Sequence, residues 1–255
     1  GTIHRQERLA ATLEIIAKEG PRGFYEGPIA AAMVRTLRAH GGVHTAQDFA
    51  AVEGDFVTPI STDYRGRTVH QVPPNNQGLT ALMILNLLER FDIASYAPGS
   101  AARLHLEIET ARLAYAMRDS HIAELDHMQV RIEEILSKTR AAALAQRIAP
   151  DRAMTDIGPL GLRTSDTVYM TVVDRDLNAV SFINSIFDSF GSGILCPETG
   201  VLFQNRGHSF SLDPEHPNVL APGKRPMHTI MPGMVTEKGR TVLSFGVMGG
   251  DYQPL

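Results

Sequence analysis

The chain has 255 residues, 43% of them hydrophobic, and a formal net charge of -4, enough apolar material for one large domain or two small ones. The charge and a pI near 6.2 provide no basic field for nucleic acid or an anionic membrane. The single cysteine, Cys196, excludes an intrachain disulfide framework and a tetrathiolate metal site. No apolar run reaches the roughly 20 residues of a membrane helix. Localisation stays open between cytoplasm and periplasm.

The chain enters a helical pattern at Arg8, so that both ends read as cut from something longer. Up to about residue 148 the apolar positions follow a helical period, as in Leu9, Leu13 and Ile16, or Leu104, Ile108, Ala111 and Tyr115. Breaks fall at Gly20-Pro21 and Gly41-Gly42, and Thr45 with Asp48 predicts a capping arrangement before a short helix. Two strands are expected within this α-rich half, Pro59 to Asp63 and Arg67 to Val72. Ile148 to Ser165, with two prolines and two glycines, reads as an exposed linker. After Asp166 the pattern turns to strands: Thr167 to Asp174, Ala179 to Ser185, Val201 to Phe203, His228 to Val235 and Thr241 to Val247.

The first two of these strands flank a polar turn and predict a hairpin. With the turn centred on Asp176, equal counting along both arms sets Ser185 across from Thr167, at the roughly 5 Å of opposed side chains. A hydroxyl needs a base to become a nucleophile, and no histidine is near in this segment. Cleavage between Asp166 and Thr167 would free an α-amine, with a reference pKa of roughly 7.7 to 8.0, beside the Thr167 hydroxyl. Gly249-Gly250, after the apolar run Val242 to Met248, is suited to present backbone N–H groups to a developing oxyanion. Each signal has an ordinary alternative, since threonine pairs and Gly-Gly turns are common in strand proteins.

An ordered series of motifs resembles the gamma-glutamyltranspeptidase family. In the first half it comprises Gly23-Phe24-Tyr25-Glu26-Gly27, Gly41-Gly42 with Asp48, Tyr64-Arg65-Gly66, and Pro73-Pro74 with Gly78 and Ile84-Leu85-Asn86. In the second it comprises Asp166-Thr167, Val172-Val173-Asp174, Asn178-Ala179-Val180, Phe190-Gly191-Ser192-Gly193, Gly200, Asn205, Pro222-Gly223-Lys224-Arg225-Pro226, Pro232 and Gly249-Gly250 with Gln253.

The resemblance implies an α+β fold, the αββα four-layer sandwich of the N-terminal-nucleophile hydrolases. It also implies a precursor that cuts itself before Thr167. Residues 1–166 would then belong to a large subunit and 167–255 to a small one, forming a heterodimer that could dimerise further. Thr167 is implied as nucleophile, with Ser185 and Thr171 in support and Gly249 and Gly250 as oxyanion hole, acting on a small-molecule amide without metal or cofactor. An uncut homologue serving as a binding or scaffold protein is the rival expectation.

The positions implied to read the glutamyl ammonium in this family are Phe187, Arg206 and Ser209, and those implied for its carboxylate are His228 and Thr229. Losing an anion and gaining Arg206 disfavours an ammonium there and favours acids without one, as in the acylase-like and oxamate-amidohydrolase-like relatives. Glutathione hydrolysis is the alternative expectation.

Remaining candidates have plainer readings. Asp119, His121, Glu124, Asp126 and His127 are expected to be a solvated helix end rather than a metal site, His40 and His44 turn residues, and His105 a structural histidine. Arg225 reads as a structural loop residue and Cys196 as packing. No nucleotide-binding glycine loop is present.

Overall fold

The computed structural model describes residues 1–158, 162 and 167–255. They divide into two compact units, one of residues 1–56 and 188–205, the other of 57–187 and 206–255.

The first unit contains α1 (Glu7–Glu19), α2 (Pro21–Tyr25), α3 (Gly27–Ala39) and α4 (Ala46–Ala50). Proline stands in the first turn of α2 and of α3, where its missing N–H costs nothing. The predicted cap is present at α4: Thr45 and Asp48 exchange side-chain to backbone bonds in a capping box. Ile29, Ala32 and Met33 pack on the wholly buried Cys196, with Val201 and Phe203 alongside. The expected strand Val201 to Phe203 is absent. Leu202 forms only an isolated bridge with Leu195, and the residues flanking it serve this small core.

The second unit holds β1 (Ile60–Tyr64), β2 (Arg67–Gln71), α5 (Gly78–Leu88), α6 (Ala101–His121), α7 (Ile132–Ile135), α8 (Lys138–Ala145), β3 (Val168–Val173), β4 (Ala179–Asn184), β5 (Gly233–Glu237) and β6 (Arg240–Phe245). The strand order of its main sheet is β1-β2-β5-β6, antiparallel throughout, and β3 with β4 forms a separate pair. Side-chain alternation assigns the faces. On one, Val69 and Val235 pack with Leu82 of α5, and Thr62 donates to Asn86 at 2.6 Å. On the other, Ser244 accepts from Thr171 of β3 at 2.8 Å and lies 3.2 Å from the Tyr169 hydroxyl. Helices, sheet and hairpin thus stack in layers.

Two glycines make this stacking fit. A Cβ on Gly246 would stand 2.4 Å from the Tyr169 ring, and one on Gly233 would stand 2.4 Å from the Phe245 ring. The main core, with Leu79, Leu87, Leu113, Ala114 and Tyr115, lies between α5 and α6. Among the described residues no helix is long and apolar enough to cross a membrane.

Residues 148–158, within the expected linker of 148–165, are mostly exposed, while Ile148 is buried and Met154 and Ile157 pack on the core; 159–161 and 163–165 lie outside the described residues. The buried Glu109 accepts from the Met154 N–H at 2.8 Å while Arg112 donates to the Met154 carbonyl at 2.9 Å. The strand expected from His228 begins only at Gly233. The His228 N–H and the carbonyls of His228, Thr229 and Ile230 are taken by Asn75, Asn76 and Gln77, with the His228 N–H on the Asn75 carbonyl and the Asn76 amide on the Ile230 carbonyl.

Candidate active site at the open end of the hairpin

The hairpin turn is built on one carboxylate. Asp174 accepts from the N–H groups of Asp176 and Asn178, each at 2.9 Å, and from the Asn178 amide at 2.8 Å. These bonds hold its carboxyl below the usual range, the Asn178 side chain contributing most. Leu177 takes the left-handed conformation that closes the turn, with φ 64°. The ladder runs from Val173 opposite Ala179 to Val168 opposite Asn184. One further step of that register sets Thr167 opposite Ser185.

Thr167 shares a face with Tyr169 and Thr171, the face turned toward β6. The Thr171 hydroxyl meets Ser244, and the Tyr169 ring lies over Gly246. The Thr167 hydroxyl oxygen is buried and has no hydrogen-bond partner among the described residues, a condition expected of a group reserved for a ligand rather than for the fold. Asp166 lies outside the described residues.

Gly249 and Gly250 adopt φ of 139° and 57°, and the turn continues as a short 3-10 segment, Gly250 to Tyr252. Its carbonyls are committed, that of Gly249 to the Tyr252 N–H at 3.1 Å and that of Gly250 to the Gln253 N–H at 3.3 Å.

On the other side of Ser185 the chain makes a tight turn in which the Phe187 N–H donates to the Ser185 hydroxyl at 2.8 Å. Phe187 is buried at a φ of 79°. The guanidinium of Arg206, also buried, covers its ring at 4.7 Å and donates to the Thr229 hydroxyl at 2.8 Å. His228 adjoins this pair, its Nδ1 accepting from the Ile230 N–H at 3.3 Å. Burial, and then the Arg206 charge, push its imidazole down to about 3. The structure thus brings Phe187, Arg206 and Thr229 together, with His228 beside them. Ser209 ends the 3-10 segment that Arg206 begins and borders a cavity of about 440 Å³ shared with Phe187, Arg118 and Asp251.

The remaining candidates have structural partners. Asp119 pairs with Arg118 at 2.7 Å, Glu124 accepts from the Arg225 N–H at 3.0 Å, and His105 meets the Ala149 carbonyl at 2.7 Å. His40 caps α3, and His44 lies against Phe49.

Sequence reasoning missed the polar cluster beneath the site. Gln77, Arg118 and Asp251 are buried together, with Arg118 donating to Gln77 and to Asp251, each at 2.9 Å. The run Pro73-Pro74 to Gly78 contained Gln77, yet its contacts are 152 and 173 residues away in the chain and leave no local signal.

With this geometry in place, comparison with known proteins is decisive about family. A family model described as gamma-glutamyltranspeptidase matches residues 1–255. The chain belongs to the gamma-glutamyltranspeptidase family. It is 41% identical over 249 residues to the glutathione hydrolase-like YwrD proenzyme of Bacillus subtilis, covering 98% of this chain and 47% of that relative. It is 38% identical over 254 residues to the oxamate amidohydrolase proenzyme of Klebsiella pneumoniae, covering 100% of this chain and 47% of the relative. Among solved structures, the cephalosporin acylase of Bacillus halodurans superposes with a TM-score of 0.89 at 40% identity, covering 100% of this chain and 46% of its own. The fold is therefore the α+β N-terminal-nucleophile hydrolase fold of that family, and the chain spans about half the length of these relatives.

Proposed function

We propose that this gamma-glutamyltranspeptidase-family chain is the part of a self-processing amidohydrolase or acyltransferase that bears the nucleophile, Thr167. The observation that carries the reading is the buried, unpartnered Thr167 hydroxyl at the end of a hairpin whose register faces it with Ser185. Cleavage after Asp166 frees the Thr167 α-amine and divides the sequence into a segment 1–166 of a large subunit and a segment 167–255 of a small one. Relatives named as proenzymes support that processing.

The Thr167 Oγ then attacks the substrate amide carbon and its proton passes to the α-amine. The oxyanion is held by the N–H groups of Gly249 and Gly250. Collapse expels the amine, which takes the proton, and leaves an ester on Thr167. Water hydrolyses that ester to the free acid, or an acceptor amine replaces water and gives a new amide. Ser185 orders the hydroxyl side of this arrangement, and Thr171, four positions along the strand and donating to Ser244, steadies the hairpin that carries it.

The acyl group is a small acid. Arg206 and Thr229 offer a cation and a hydroxyl, and His228, held neutral, can donate from Nε2 because its Nδ1 accepts. With Phe187 and Ser209, these residues form no site for an ammonium. Denaturing mass spectrometry of the full-length protein, joined to a panel of oxamate, glutaryl and gamma-glutamyl amides, tests the proposal. Two fragments meeting at Thr167 and turnover of the ammonium-free acids are expected. A chain that stays single on incubation would overturn the enzyme reading in favour of a scaffold, and preferential release of glutamate would overturn the substrate assignment.

A further inference from the structure

We propose that Gln77 is a positioning residue that couples the oxyanion turn at Gly250 to the acid-binding step at Thr229, an inference that rests on the N-terminal-threonine reading above. Gln77 stands immediately before α5 and is completely buried. Its Nε2 donates to the Thr229 carbonyl at 2.7 Å and to the Gly250 carbonyl at 2.8 Å, and its Oε1 accepts from Arg118 at 2.9 Å. Two carbonyls require the NH2 group and a guanidinium requires the oxygen, so the partners fix the orientation of the amide.

Three further bonds tighten this link. The Gln77 N–H donates to the His228 carbonyl at 2.9 Å, so both residues proposed for the substrate carboxylate are attached to one side chain and its own backbone. Arg118 also donates to the Asp251 carboxylate at 2.9 Å, and the Tyr115 hydroxyl donates to the Asp251 carbonyl. The turn carrying the oxyanion donors is thereby held from below at two successive residues.

The need for such a hold follows from the glycines. Gly249 and Gly250 both occupy positive φ, where glycine has many accessible conformations and little stiffness of its own. The Gly250 carbonyl lies in the peptide plane between Gly250 and Asp251, and Gln77 holds that plane from outside the turn; it shares the Gly250 Cα with the plane that carries the Gly250 N–H. The same amide fixes the Thr229 carbonyl, and Thr229 holds Arg206. A shift at Gln77 therefore moves both the donors that stabilise the transition state and the groups that bind the acyl acid. Misplacement of such groups by even 1 Å can cost on the order of 100-fold in rate.

The test uses the full-length protein, with kcat normalised to sites titrated by the acylation burst. Gln77→Glu keeps the shape and the Arg118 contact but removes both donor bonds, and Gln77→Met removes all polar contacts at similar volume. In each, kcat per titrated site is expected to fall about 10- to 100-fold and KM for the acid-bearing amide to rise at least about fivefold. Either parameter remaining within about twofold of wild type in a folded variant overturns the coupling. A purely structural role would lower the melting temperature and the number of titratable sites and leave both parameters per site unchanged. Wild-type protein that neither cuts at Thr167 nor turns over amides instead overturns the functional reading, so the two failures are distinguishable.

Discussion

The Arg206 guanidinium lies 4.7 Å from the centre of the Phe187 ring and donates to Thr229 at 2.8 Å. Stacking on a ring fixes the plane of the guanidinium, and lysine cannot reproduce that planar shape. Arg206→Gln is expected to raise KM for an acid-bearing amide about 10- to 100-fold, the range of one charge-assisted hydrogen bond. Arg206→Lys should recover only part of that loss. Steady-state kinetics on one substrate checks both, and an unchanged KM in Arg206→Gln would remove Arg206 from the acyl site.

Thr167→Ala should leave a single uncut chain with no turnover, because both self-cleavage and acylation draw on the same hydroxyl. Thr167→Ser retains that oxygen and should still cut, at a reduced rate. A time course of fragment masses distinguishes them. In the processed enzyme, kcat/KM should rise with pH as the freed α-amine loses its proton near its reference pKa of about 7.7 to 8.0.

A methyl group on Gly246 would meet the Tyr169 ring at 2.4 Å, with β6 backbone behind it. Gly246→Ala is expected to destabilise the protein by about 1–3 kcal/mol, the usual cost of overpacking. Ser244→Ala, which strips Thr171 and Tyr169 of a shared partner, should cost about 1 kcal/mol. Denaturant melts of the two variants give the comparison.

His228 supplies a pH dependence with a definite sign. Its folded pKa, about 3, lies below its ordinary 6.5, so between these values the unfolded chain binds the extra proton. Its contribution is fully present above about 6.5 and is lost as pH falls toward 3. Stability should decline over that window in the wild type, and His228→Gln should flatten the slope by up to about 1.4 kcal/mol per pH unit. Equilibrium unfolding at pH 4, 5, 6 and 7 measures it.

The hairpin and its register were legible in the sequence because two strand-like runs flank a polar turn and equal counting from that turn fixes the pairing. The family motifs supplied the expectations for the rest of the candidate site. Val201 to Phe203 misled because a short apolar run reads equally well as strand or as packing, and here it packs on Met33 and Cys196. His228 to Met231 misled because the backbone of Asn75 and Gln77 and the side chains of Asn76 and Gln77 take the backbone bonds that a neighbouring strand would have made. Glu109 drew Met154 to the core for a similar reason: a buried carboxylate must find donors, and the sequence does not show which segment provides them.

The Asp174 clamp has a long reach. At about 3.3 Å per residue it stands roughly 20 Å from Thr167, yet it decides which residue Thr167 faces. Strand side chains alternate, so slipping one arm of the hairpin by a single position would turn Thr167 away from its buried face. In a random mutational screen scored on turnover, losses at Asp174 and Asn178 would therefore cluster with those at Thr167, as defects of chain alignment rather than of chemistry.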